Sequence, residues 1–240
     1  MTSHPKNPAT NTRFHAAPSQ PEGLSNLSRE NAPASPHFLA TVQPIVLVGG
    51  KSRRFGRDKL REPWGEPGRV LVQQPIDALR AIFGPRVMLV GDCDPTIVPL
   101  ADGVIRDDHP GAGPMGGIVS ALKHWGGPVF VLAGDMPSFA ATDGCNILRA
   151  AAHSPESLAV LAATDMLHPC AGYYASAALP VLSDCIACGN FRLTAALPDR
   201  ALVKVAVQSA SAANINAIRE VGAMLRLEES ESPDGDPDSP

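Results

Sequence analysis

A glycine turn between an apolar run and a cluster of cations constrains this chain more than any other stretch. The run Ile45–Val48 predicts a buried strand because it is short, continuous and rich in β-branched residues. Gly49 and Gly50 follow it, and glycines at a strand exit let a ligand approach the backbone without a Cβ in the way. Residues 51–59 then carry five cations. Strand, turn and cations together predict a site for a phosphorylated ligand.

Neither of the two common phosphate-binding loops explains this stretch. A Walker A loop needs a glycine five residues before its Gly-Lys pair, and that position holds Ile45. The dinucleotide fingerprint fails because Lys51 and Arg54 follow Gly49 where its other glycines should be. A surface turn with solvated arginines is the remaining alternative. Five neighbouring cations repel one another, however, and would gain from a bound anion.

The rest of the chain alternates between strand and helix patterns, which predicts a Rossmann-like, doubly wound and mostly parallel α/β sheet. Such sheets bind ligands beyond the carboxyl ends of their strands, where Gly49, Asp107 and Asp135 fall. Strands are predicted at residues 44–48, 86–90, 103–106, 128–133, 158–163 and 202–207, with another ending at Tyr173-Tyr174, and helices at 70–83, 115–125, 142–152, 176–187, 190–197 and 216–226.

Composition divides the chain into three parts. Residues 1–40 are rich in Pro, Asn, Ser and Ala and are predicted to form a disordered arm. Residues 228–240 are predicted to form a disordered acidic tail. The tail has a charge of −6 and the arm has a charge of +1, whereas the whole chain has a net charge of −4. The domain at 41–227 therefore has a charge of +1 and is nearly neutral. A nearly neutral domain with 5% aromatic residues does not favour nucleic-acid binding, which needs an extended basic face.

Hydrophobicity and cysteine usage predict a cytoplasmic protein. No apolar run approaches the roughly 20 residues of a membrane helix, and the N-terminus has no apolar signal core. Five cysteines are an odd number, which argues against a disulfide framework. Cys185 and Cys188 form a lone C-x-x-C pair, whereas structural zinc usually needs two such pairs, so we interpret them as packed residues on a helix.

Two carboxylate positions are candidates for ligand binding. Asp135 follows the strongest predicted strand, where a carboxylate loses hydration unless it meets a cation. Mg²⁺ is a natural partner, because one or two carboxylates and phosphate oxygens hold it. A turn aspartate close to Pro137 explains this position equally well. Asp107 and Asp108 follow a weaker predicted strand, and such loop pairs are most often only solvated.

The segment from Gly49 to Lys59, GGKSRRFGRDK, resembles the signature loop of molybdenum cofactor guanylyltransferases, roughly LAGGxSxRMGxDK. Val48 replaces the usual alanine and Phe55 the usual methionine. The resemblance covers about residues 42–226. It includes GAGPMGGI at 111–118, the HP pair at 168–169, GNFR at 189–192 and N-x-N at 214–216, although the usual Thr-Pro-Glu after N-x-N is Ala-Ile-Arg here.

The resemblance implies a sheet of the nucleotidyltransferase type and a set of GTP-binding residues. Leu47, Val48 and Gly49 would give backbone contacts near the base. An aspartate at the third strand would contact the nucleotide, and alignment on Val104-Ile105 selects Asp107, with Asp108 one residue away as the alternative. Lys59 and Asp135 complete the implied GTP-binding set.

The resemblance also implies the reaction: transfer of GMP from GTP to the terminal phosphate of molybdenum-molybdopterin, with release of pyrophosphate. Asp135 would bind Mg²⁺, and the implied catalytic residues are Arg53, Lys59 and Asp135. GTP and molybdopterin would be the substrates, and apo-molybdoenzymes or other cofactor-assembly proteins are candidate partners.

Three alternatives remain open from the sequence. One is a cytidylyltransferase for the same pterin. Another is a sugar-phosphate nucleotidyltransferase, although the loop of those enzymes usually reads G-T-R where this chain has Ser52-x-Arg54. The third is a non-catalytic nucleotide-binding module that hands the cofactor to apo-enzymes.

Overall fold

The computed structural model describes residues 34–49 and 58–214. Within them, one seven-stranded sheet lies between two layers of helices. In chain order, and numbered within this part, the elements are α1 (Pro36–Thr41), β1 (Gln43–Leu47), α2 (Gln73–Phe83), β2 (Met88–Val90), β3 (Gly103–Ile105), α3 (Pro114–Trp125), β4 (Val129–Ala133), α4 (Ala141–His153), β5 (Ala159–Ala163), β6 (Leu167–Tyr174), α5 (Ala178–Ala187), α6 (Leu193–Ala196) and β7 (Leu202–Ala206).

The strand order is β3-β2-β1-β4-β6-β5-β7, and every neighbouring pair is parallel except those that involve β6. Strand β6 runs antiparallel to both β4 and β5, and its register against β5 shifts between Leu161 and Ala162. The predicted mostly parallel α/β sheet is therefore confirmed. The carboxyl ends of β1, β2, β3 and β4 meet at one edge, as ligand binding in this fold requires.

Two hydrophobic layers explain why the central strands read as continuous apolar runs. Alternate residues of a strand point to opposite faces, and both faces of this sheet are covered. The layer under α2 and α4 takes Val46, Phe130 and Leu132, and the layer under α3 and α5 takes Ile45, Val129 and Val131. The doubly wound arrangement predicted from the strand and helix pattern is thus confirmed.

The prediction of a disordered arm up to residue 40 is wrong for residues 36–40, which belong to α1. This helix buries none of its residues fully, but Ser35 caps its start and Arg86 donates to the carbonyls of Leu39 and Ala40. Trp125 donates to the carbonyl of Thr41 at 2.9 Å. Arg86 and Trp125 lie far from α1 in the sequence, so local composition did not reveal these contacts.

Several expectations fall outside the described residues: the rest of the arm, the acidic tail and the helix at 216–226. The domain boundaries and the cytoplasmic location stay predictions. Among the helices that the structure describes, none is long and apolar enough to cross a membrane.

Candidate active site

A cavity of about 370 Å³ opens at the carboxyl edge of the sheet, beside the ends of β1, β2 and β4. We call it the strand-end cavity. The six residues of the implied GTP-binding set line it: Leu47, Val48, Gly49, Lys59, Asp107 and Asp135. The structure therefore brings together groups that are up to 88 residues apart in the sequence. Their individual roles stay predictions.

An ion pair lies in the wall of the strand-end cavity. Lys59 Nζ is 2.5 Å from Asp135 Oδ2, and the two side chains are 17% and 16% exposed. Lys59 opens a short 3₁₀ turn, Lys59–Arg61, which Asp58 caps by accepting the backbone N–H of Leu60 at 3.0 Å. Sequence reasoning missed this function of Asp58, although an aspartate before a turn is a common capping signal.

The glycine turn holds its own backbone in place. The N–H groups of Val48 and Gly49 donate to the carbonyl of Val90 at 3.0 and 3.3 Å, and the carbonyl of Leu47 accepts from Gly134 at 3.0 Å. Within the described part of the chain, the carbonyl oxygens of Val48 and Gly49 have no hydrogen-bond partner. The backbone N–H groups of Val48 and Gly49 are therefore already bonded to β2.

Gly91 makes the close approach of the first two strand ends feasible. Its φ is +110°, and a Cβ there would lie 2.7 Å from the backbone N and Cα of Gly49. A side chain at this position would strain the backbone and also collide with the turn. The glycine was not singled out in the sequence, because it stands alone after β2 without a recognisable motif.

Asp107 is fixed by local hydrogen bonds. Its Oδ1 accepts the backbone N–H of His109 at 2.8 Å and lies 3.3 Å from the hydroxyl of Ser120. That hydroxyl accepts from Asp108 N at 2.9 Å and has a closer acceptor for its proton, the carbonyl of Gly116 at 2.8 Å. Sequence reasoning missed Ser120, because one serine in an apolar helix gives no pattern.

Asp108 takes a different position from Asp107. Its side chain is 49% exposed and lies 3.6 Å from Lys123 Nζ, and it does not line the strand-end cavity. The structure thus places Asp107, the residue selected by the alignment, at the cavity wall.

The glycines of GPMGGI pack α3 against the strand ends. A Cβ on Gly117 would lie 2.8 Å from Leu47 Cδ2, and one on Gly116 would lie 2.7 Å from the carbonyl of His109. Pro114 stands in the first turn of α3, where its missing N–H costs nothing. Gly113, Pro114 and Gly117 all line the cavity.

The wall formed by β6 contributes a neutral thiol. Cys170 lines the cavity, and burial, together with the negative charge of Asp135, raises the pKa of its thiol to about 12. The group is therefore protonated at neutral pH. Nothing in the sequence distinguished this cysteine from a packed apolar residue.

Of the three other segments named by the resemblance, some line the strand-end cavity and others do not. Asn214 lines the cavity, whereas His168 and Phe191 do not. His168 Nε2 lies 2.8 Å from the hydroxyl of Thr164, and the side chain of Phe191 is exposed. Two further sets of residues lie outside the described part: residues 50–57, which include Arg53, and Asn216. Their predicted contacts stay predictions.

The family model described as the MobA-like NTP transferase domain matches residues 44–213. The chain belongs to this family. It is accordingly a nucleotidyltransferase enzyme, and the non-catalytic alternative is wrong.

Relatives and solved structures agree with this assignment. A protein of Chloroflexus aggregans, named probable molybdenum cofactor guanylyltransferase, is 35% identical over 39% of this chain and 45% of its own length. An Aquifex aeolicus protein of the same name is 30% identical over 64% of this chain and 74% of its own length. The structure of molybdopterin-guanine dinucleotide biosynthesis protein A from Archaeoglobus fulgidus has 25% identity and a TM-score of 0.61, covering 78% of this chain and 98% of that one.

The donor set of this MobA-like enzyme fits a metal that arrives together with phosphates. No group of three or more His, Cys, Asp or Glu side chains suited to a metal occurs among residues 34–49 and 58–214. Asp58 and Asp107 already accept backbone N–H groups, which leaves Asp135 as the carboxylate held by a mobile cation. One carboxylate is enough for Mg²⁺ when phosphate oxygens supply further ligands.

Proposed function

We propose that this MobA-like NTP transferase transfers GMP from GTP to the terminal phosphate of molybdenum-molybdopterin, giving the guanine dinucleotide form of the cofactor and pyrophosphate. The observation that carries this proposal is the Lys59–Asp135 pair beside the glycine turn, in one cavity at the strand ends. It provides a cation for the triphosphate and a carboxylate for a metal. The names of the relatives supply the choice of guanine and of the pterin.

The acceptors of the glycine turn support guanine as the base. The carbonyls of Val48 and Gly49 have no partner among the described residues, and guanine carries the N1–H and N2–H donors side by side. The Asp107 carboxylate adds a further acceptor in the same cavity. A base that presents donors along its edge matches this wall.

Positioning and charge stabilisation would supply most of the rate enhancement. The attacking group is a terminal phosphate, which is already an anion, so the reaction needs no general base. Lys59, as a compact and mobile charge, would move from Asp135 to the phosphate oxygens as negative charge develops. Arg53 would add a planar fork on the same phosphates.

Asp135 is the residue that would hold Mg²⁺. When bound there, the ion would neutralise negative charge on the triphosphate. Cys170 would remain a neutral wall of the site, because its thiol keeps its proton at neutral pH.

Calorimetry with GTP, CTP and ATP, each with and without Mg²⁺, tests the proposal. We expect GTP to bind most tightly, and we expect the gain in GTP affinity that Mg²⁺ produces to disappear in Asp135→Ala. Pyrophosphate release on addition of molybdenum-loaded molybdopterin would then establish the acceptor. Preference for CTP would identify a cytidylyltransferase instead, and pyrophosphate release with a sugar phosphate alone would identify the sugar-linked branch.

A further inference from the structure

Strand β6 is irregular where it reaches the strand-end cavity. Its pairing with β5 is regular as far as Gly172 and resumes only at His168. Residues 169–171 therefore have no counterpart on β5, and we call them the β6 bulge. Pro169 suits such a place, because it has no N–H to give to a strand ladder. Cys170, the middle residue of the bulge, lines the cavity.

A buried hydroxyl holds the β6 bulge in its shape. Tyr174 O–H donates to the carbonyl of Pro169 at 2.7 Å. Five residues of regular strand span about 17 Å, which is farther than a tyrosine side chain reaches, so this bond requires the bulged path. Tyr174 is fully buried, and burial raises the pKa of its hydroxyl, so the group is a neutral donor at neutral pH. Water does not compete for a bond made at such a depth.

The strand order places the β6 bulge on the opposite side of Asp135 from the proposed base site. At the carboxyl edge of the sheet, the glycine turn follows β1, Asp135 follows β4, and Cys170 lies on β6, the next strand. Cys170 is close enough to Asp135 to be affected by its charge. A nucleotide whose base lies between the glycine turn and Asp107 leaves the β6 side of Asp135 to the second substrate.

We propose that the Tyr174 hydroxyl positions the second substrate, because it holds the β6 bulge so that Cys170 forms the wall beside which the attacking phosphate lies. Tyr174 does not touch the substrate itself and acts through Pro169 and Cys170. The inference rests on the proposed function only in that a nucleotide binds at the glycine turn and a phosphate-bearing acceptor attacks it. Which base and which acceptor are used does not enter the argument.

The first experiment measures backbone amide hydrogen exchange by mass spectrometry, without any substrate. Tyr174→Phe keeps the ring and removes the hydroxyl, so the Pro169 carbonyl loses its partner. We expect residues 168–172 to exchange about tenfold faster than in the unmodified protein, because the bulge opens more often. Exchange in β2 and β3 should not change. An unchanged rate at residues 168–172 would overturn the inference.

Tyr173→Phe is the matched control for the exchange experiment. Tyr173 is the neighbouring residue, but it points to the other face of the sheet and packs on Phe38 with 5.9 Å between the ring centroids. The same loss of a hydroxyl should therefore change exchange at residues 168–172 by less than about twofold. An equal increase in both variants would show a general loosening of β6 and would contradict the proposal.

The second experiment measures pyrophosphate release while each substrate is varied in turn. The acceptor is molybdenum-loaded molybdopterin, or a sugar phosphate if only that supports release. In Tyr174→Phe we expect the KM for the acceptor to rise about fivefold and the KM for the nucleotide to stay within about twofold. A merely structural role would lower kcat through the folded fraction and leave both KM values unchanged. That result, or an equal rise in both KM values, would overturn the inference.

Cys170→Val tests the wall directly and decides the matter if Tyr174→Phe does not fold. Its larger, branched side chain would take up space on the β6 side of Asp135. We expect the KM for the acceptor to rise about tenfold with little change in the KM for the nucleotide. A rise in the nucleotide KM instead would place the wall on the wrong side. Preference for CTP or for a sugar phosphate would defeat the proposed function, whereas these experiments would still decide this inference.

Discussion

Asp107 and Asp135 follow parallel strands and line the same cavity, but their carboxylates are held in different ways. Asp107 accepts a backbone N–H from the turn that follows it, and the buried hydroxyl of Ser120 lies beside it. Asp135 pairs with Lys59, a flexible side chain from another part of the chain. We call Asp107 the fixed carboxylate, because a carboxylate hydrogen-bonded to the backbone of its own turn keeps its position when a ligand binds. We call Asp135 the exchangeable carboxylate, because a carboxylate paired with a flexible lysine changes partner when a ligand brings a competing charge.

This difference predicts that the largest effect on turnover comes from the exchangeable carboxylate. Asp135→Asn removes the charge that would hold the metal, so we expect kcat to fall about 10³-fold or more. Asn has the same shape as Asp and keeps a side-chain oxygen that can accept from Lys59, so Tm should stay within about 3 °C. Pyrophosphate release and thermal unfolding measure the two quantities. A Tm loss as severe as the kcat loss would make Asp135 a structural residue instead.

The fixed carboxylate should behave in the opposite way. Asp107→Ala leaves the His109 N–H without its acceptor, and we expect the free energy of unfolding to drop by about 2 kcal/mol. We expect the KM for GTP to rise about tenfold, with kcat changed less, because the group is expected to bind rather than to react. Urea unfolding and steady-state kinetics measure these effects.

Asp108→Ala is the neighbouring control for that prediction. Its side chain is exposed and outside the cavity, so both stability and KM should stay near the original values. Equal KM effects at the two positions would remove the distinction between Asp107 and its neighbour.

A smaller effect is expected from Ser120, which supports the fixed carboxylate from α3. Ser120→Ala should cost about 1 kcal/mol of stability and raise the KM for GTP about threefold, since the turn that carries Asp107 loses a hydrogen-bonding partner. Ser157→Ala is the matched control: this serine is also buried, and its hydroxyl donates to the carbonyl of Ser154. It should lose similar stability with no change in KM.

The smallest effect concerns Cys170, the neutral neighbour of the exchangeable carboxylate. A thiol with a pKa of about 12 is only about one part in ten thousand thiolate at pH 8, so iodoacetamide should label it very slowly. Cys188 is exposed and should react much faster. Mass spectrometry over time separates the two sites. Above pH 10 the rate at Cys170 should rise about tenfold per pH unit, because the raised pKa delays formation of the thiolate.

The fold was largely predictable because both sheet faces are covered, so each central strand appears in the sequence as an apolar run with a glycine or aspartate after it. The sequence did not show that β6 is antiparallel to both neighbours, since orientation depends on connections and not on strand composition. It also did not show α1, whose contacts with Arg86 and Trp125 come from later in the chain.

The candidate site was predictable where a residue ends a strand and less so where a side chain acts across the fold. Asp107 and Asp135 were found by their position after strands. The contact between Lys59 and Asp135 spans 76 residues and follows only from the sheet order. Ser120 and Cys170 carry no local pattern, because each is one small residue within an apolar element.

The hydrogen bond from the Trp125 side chain to the carbonyl of Thr41 has a consequence for the fluorescence of the protein. The chain contains two tryptophans, and they lie in different surroundings. Trp125 is 42% exposed and holds α1, so its emission follows the attachment of that helix. Trp64 is 4% exposed and lines a cavity together with Pro137 and Ser138, which follow Asp135 closely in the chain. In a Trp125→Phe protein the remaining indole becomes a built-in fluorophore for the loop that carries the exchangeable carboxylate, without any added label.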